Sequence, residues 1–112
     1  MKSHMQLERL SKIADLLAQR ALSDLAAAER ATRSMQLELH EIDERRAESL
    51  ANATTPHVAS LALKFNQFQL LRRREVLAQL SQLEAKRRQV LALAQRAEGR
   101  RQVLSKLIDQ AS

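Results

Sequence analysis

The stretch Asn52-Ala53-Thr54-Thr55-Pro56-His57 decides how this chain folds. Pro56 is the only proline in 112 residues. Its ring forces Thr55 out of the helical region, yet suits the first turn of a following helix. Asn52 is expected to close a preceding helix in the left-handed conformation. No other stretch carries punctuation of this strength. It predicts a first helix over about 6–51, a turn over about 52–57 and a second helix over about 58–110.

Composition agrees on both sides of the turn. Leu, Ala, Gln, Glu and Arg dominate, and there is one Gly, no Cys, no Trp and no Tyr. Such side chains keep rotamer freedom in a helix and do not compete for backbone hydrogen bonds. A sheet would need more β-branched, aromatic and turn residues. The lone Gly99 lies inside the second segment; at about 1 kcal/mol, its cost does not stop a long helix.

In the first segment, apolar or small residues recur at Leu10, Ala14, Leu17, Ala21, Leu25 and Ala28. They continue through Thr32, Met35, Leu39, Ile42, Arg46 and Leu50. The second segment repeats the pattern from Leu61, Phe65 and Phe68. From Val76 it steps four and three through Leu80, Leu83, Arg87, Val90 and Ala94, ending at Ile108, as a heptad seam does. Neither stripe can stay in water, and the connection is short. The fold class is therefore all-α, a long two-helix antiparallel coiled-coil hairpin.

Folding about residues 54–55 pairs positions whose numbers sum to about 109. Asp24 then meets Arg87, Glu8 meets Arg101, and the run Arg72-Arg73-Arg74 comes near Glu38. Charge is divided by helix. Residues 1–51 hold eight Lys/Arg and nine Asp/Glu, net −1; residues 58–112 hold eleven and four, net +7. Met1 to Met5 reads as a cloning remnant, with Met5 as the expected native start.

No catalytic constellation is legible, so the chain reads as no enzyme. His40 has Glu44 one turn away, but two ligands do not make a metal site. A single glycine rules out a Gly-rich phosphate loop. No cofactor is expected. The absence of Cys excludes disulfides and suits the cytoplasm. No apolar run approaches the roughly 20 residues of a membrane span. The clusters Arg72-Arg73-Arg74 and Lys86-Arg87-Arg88 are basic enough for phosphate. However, no aromatic interleaves with them to stack bases, which counts against single-strand binding and leaves an RNA-binding helical arm as a lesser alternative.

Apolar surplus points instead to protein partners. Leu63, Leu70, Leu77 and Leu91 form a second apolar line on the second helix. One partner helix cannot cover both lines, so a second copy or a larger assembly is expected. Phe65 and Phe68 are the only aromatics. Either both fill the seam, or one faces outward beside Leu61 or Leu71 and anchors a partner.

The chain resembles the FliJ/YscO stalk proteins of bacterial flagellar and type III secretion export machines. The resemblance rests on Leu7-Glu8-Arg9-Leu10 with the Ala-rich run to Ala31, on Phe65-Asn66-Gln67-Phe68, and on Ala97 to Leu107. It implies a stalk in or near the central hole of a hexameric export ATPase. It further implies contacts with the export gate protein and secretion chaperones, at the periphery of a membrane-embedded apparatus. Phe68 matches the family's aromatic gate contact; one turn later, the family's apolar residue is Arg72 here.

Overall fold

A computed structural model of the chain describes residues 2–111. Two helices account for the fold: α1, Lys2–Ala51, and α2, Pro56–Ala111, with no strand among the described residues. The chain is an all-α antiparallel hairpin. α2 passes through Gly99 without interruption.

The turn is built by capping. The Asn52 amide still donates to the Glu48 carbonyl at 3.0 Å, in helical register. No described residue has a positive φ, so Asn52 does not close α1 in the left-handed conformation. Thr54 N then turns back to Asn52 O at 3.0 Å. Thr55 caps α2: its Oγ1 accepts from Val58 N at 3.2 Å, and its carbonyl accepts from Ala59 N at 2.8 Å. Pro56 therefore occupies the first helical position, where its missing N–H costs nothing. The turn is 52–55, shorter than the expected 52–57.

Burial follows a strict heptad in both helices. In α1 the covered residues step four and three through Ser11, Ala14, Ala18, Ala21, Leu25 and Ala28, then Thr32, Met35, Leu39 and Ile42. Leu10, Leu17 and Leu50, expected in the stripe, are exposed instead. In α2 the seam seen from Val76 onward also extends backward. It runs through Arg73, Gln69, Asn66, Ala62 and Ala59, not through Leu61, Phe65 and Phe68. The register of the heptad sets the face, and at Ala59 and Ala62 the small side chains let the two helices approach closely.

The core is accordingly thin. Among the described residues seven apolar ones are buried, five of them alanine, and only Val76 is wholly inaccessible. Nineteen large apolar residues remain exposed among those described.

Packing divides the chain into two units. The terminal unit is Met1–Glu29 with Ala85–Ser112, and the bend unit is Arg30–Glu84. The terminal unit carries eleven Lys/Arg against six Asp/Glu, net +5. The bend unit carries eight against seven, net +1, together the +6 of the chain.

Candidate protein-docking site

In the bend unit, the heptad that buries Ala62, Asn66 and Gln69 turns the aromatics outward. Phe65 is 39 % exposed and Phe68 is 69 % exposed, with Leu61 and Leu71 also open. The arrangement with both rings in the seam is not the one formed: both lie off it, with Phe68 the more open. Leu63, Leu70 and Leu77 lie seven apart on the opposite flank of the α2 seam and are exposed as well. The α2 portion of this unit thus buries small and polar residues and presents large apolar ones on both flanks.

Asn66 shows what that arrangement costs. Its Nδ2 donates to the Ala62 carbonyl at 2.8 Å, while its buried Oδ1 has no hydrogen-bond partner. A polar residue at one seam position lowers stability but discriminates between registers.

Beside Phe68 lies a shallow groove of about 600 Å³, whose walls include Leu37, Glu38, Glu41, Arg45 and Arg72. Arg72 fixes its floor. Its Nε donates to Glu38 Oε1 at 2.9 Å and its NH2 group reaches the same oxygen. Its NH1 group donates to Glu75 Oε2 at 3.1 Å. These hydrogen bonds, Glu38 first and Glu75 second, raise the guanidinium pKa above its usual value. Arg72 is therefore committed to a structural clamp that spans α1 and α2. The outward position beside the aromatic stays apolar through Phe68 and Leu71.

The arginine run is split by the helix. Arg73 points the other way, with Nε donating to Asp43 Oδ1 at 2.9 Å. Asp43 also faces Arg46 at 3.9 Å. Arg74 is exposed and has no ion pair among the described residues. The Asp43–Arg73 pair was not expected. Its signal was the heptad carried back from Val76, which puts Arg73 on the seam and aims it at α1.

In the terminal unit the expected cross-helix pairs are not formed. Arg101 closes on its own helix, donating to Glu98 through Nε at 3.0 Å and NH2 at 2.6 Å. Glu8 meets His4 at 3.1 Å. Asp24 and Arg87 form no ion pair with each other among the described residues. A partner three residues away on the same helix needs no particular spacing between helices, so it captures the guanidinium first. Arg101's hydrogen bond holds the Glu98 carboxyl below the usual carboxylate range, and Arg101 itself is raised.

His40 pairs with Glu44 at 2.9 Å, exposed on α1. Among the described residues, no three His, Asp or Glu side chains are grouped to hold a metal ion. No described helix is long and apolar enough to cross a membrane. No protein family, curated protein or solved structure matches this chain.

Proposed function

We propose that this chain is a non-enzymatic coiled-coil stalk or adaptor, docking through the bend unit onto a larger protein export machine of the type III class. The observation that carries the reading is the outward placement of Phe65 and Phe68. Aromatic side chains exposed beside an ion-paired, ordered arginine are the composition of an interface anchor, not of a solvated face. The resemblance to FliJ/YscO stalks gives the anchor its partners: a hexameric export ATPase, the export gate protein and secretion chaperones. A cytoplasmic place at the edge of the membrane apparatus belongs to the same proposal.

The test is binding of the purified chain to an export ATPase hexamer and to the cytoplasmic part of an export gate protein. Saturable binding weakened by Phe68→Ala is expected. Binding to neither component would remove the export reading. A self-associating scaffold is the second reading, favoured by the nineteen large apolar residues left exposed among those described. Sedimentation of a single-chain species at micromolar concentration would remove it.

A further inference from the structure

The terminal unit contains a second feature, separate from the bend-unit docking surface. A groove of about 610 Å³ runs between α1 and α2, walled by Leu10, Ile13 and Leu17 on one side and Val103 and Leu104 on the other. Arg100 and Gly99 complete its edge. Leu10, Ile13, Leu17 and Val103 are each more than half exposed.

Gly99 has no role inside the chain. It sits within α2 with no positive φ, and a Cβ added there would meet no atom within 4 Å. Glycine weakens a helix interior relative to alanine. Here no turn, bulge or close packing within the chain calls for it. What the missing side chain leaves open is the edge of the groove.

The two flanks of this unit differ in charge. Letter the seam positions a and d, with Ala14 and Ala97 both at d. Positions c and g, on the groove side, then carry Arg20, Lys86, Arg96 and Arg100 against the single acid Asp24. All four basic residues are exposed, and none is in an ion pair among the described residues. The opposite flank, positions b and e, carries Glu8, Asp15, Glu29, Glu98 and Asp109 against Lys12 and Arg88. An antiparallel pair brings like-lettered flanks together, so each side has a net sign.

We propose that this groove seats an acidic amphipathic helix from a partner protein, completing a three-helix bundle over the terminal unit. The apolar walls take the partner's apolar stripe. The basic rim meets the carboxylates beside that stripe. Gly99 leaves room for the partner's side chains at the edge. A second copy of this chain fits less well, because α2 is strongly basic and the acidic flank of the unit exposes only Met5 and Leu22 as large apolar residues, seventeen positions apart.

The probe is a three-heptad synthetic peptide with a leucine stripe flanked by glutamates, titrated into the full chain by fluorescence anisotropy. Controls are the lysine-for-glutamate peptide and a scrambled acidic peptide of the same composition. Saturable binding of the acidic amphipathic peptide is expected, about tenfold or more tighter than either control. Ile13→Asp with Val103→Asp should abolish it, as should Gly99→Leu. All three positions lie outside the seam, and unchanged helicity by circular dichroism verifies folding. Arg96→Glu with Arg100→Glu should transfer the preference to the lysine peptide. Equal binding of the scrambled peptide would overturn the proposal in favour of a general polyanion site such as RNA. Binding insensitive to the groove variants would overturn it too. So would a dimer that Ile13→Asp with Val103→Asp converts to monomer, since the occupant would then be a second copy.

Discussion

Arg72 of α2 and Glu38 of α1 lie 34 positions apart in sequence and share a hydrogen bond of 2.9 Å through Nε. Their numbers sum close to the value expected for folding about the turn, so this pair reports the register of the hairpin. Cysteines at positions 38 and 72, joined by a short bis-maleimide, should link within one chain. Products that are mainly between chains would instead indicate helices exchanged between two molecules.

The same pair sets a modest energetic expectation. The side chains are 40 % and 30 % exposed, so solvent screens the charges. Glu38→Gln should lower the unfolding free energy only slightly, and less in high salt. A double-mutant cycle with Arg72→Gln isolates the coupling. A coupling indistinguishable from zero would mean the two groups do not hold each other in solution.

Capping at the turn gives a second expectation. Thr55 Oγ1 accepts from Val58 N at 3.2 Å, at the start of α2. Thr55→Ala should lower stability by about 1 kcal/mol, and Thr55→Ser should retain most of it. Urea unfolding checks both. Equal stability of the alanine variant would show that the α2 amides find water at no cost.

Asn66 should trade stability for uniqueness. Asn66→Val removes a buried, half-satisfied amide and is expected to raise stability by about 1 kcal/mol. It should also admit other registers, seen as more intermolecular product in the 38–72 cross-linking assay. Higher stability with an unchanged cross-linking pattern would show that register is set elsewhere on the seam.

The limits of sequence reading here follow from particular residues. Pro56 and the near-absence of glycine specified two helices and their bend, because each acts locally on the backbone. The seam was harder. A search for apolar residues passes through Leu61, Phe65 and Phe68, whereas the structure passes through Ala62, Asn66 and Gln69. The heptad was regular from Val76 onward, and carrying it backward gives the observed positions. Hydrophobicity misled because the continuous register of the heptad, which admits Asn66, Gln69 and Arg73, decides which side of α2 faces α1. Likewise, the spacing of the arginine run placed Arg72 near Glu38 but could not show that Arg73 turns to Asp43. The expected Glu8–Arg101 pair gave way to Glu98, a partner already within reach on the same helix.

Acid should weaken the terminal unit through Glu98. Its carboxyl is held below the ordinary range by Arg101. A depressed folded-state pKa gives a contribution that is complete above the unfolded value, about 4.3. That contribution is lost as the pH falls through the lower folded value. The thermal midpoint should therefore decline below about pH 4. The part due to this pair should be absent in Glu98→Gln. Both groups are more than a third exposed, so the difference between the two pH profiles should be small. Coincident profiles for Glu98→Gln and the parent chain would mean that the hydrogen bond to Arg101 contributes nothing to folding.

The aromatics supply the sharpest contrast between folding and docking. Phe68 is 69 % exposed, while Val76 is wholly buried. Phe68→Ala should leave the free chain within about 0.5 kcal/mol of the parent, as for surface positions generally. Val76→Ala should cost roughly 2 kcal/mol, from lost burial and the cavity left behind. If the bend unit docks through its aromatic face, the order reverses in a binding assay at a temperature where both variants are folded. Phe68→Ala should then lose most of the affinity, in the range of 2 kcal/mol or more for an anchor residue, and Val76→Ala should bind as the parent does. A Phe68 variant that destabilises the free chain as much as Val76→Ala would place the ring in the core after all and remove the docking face.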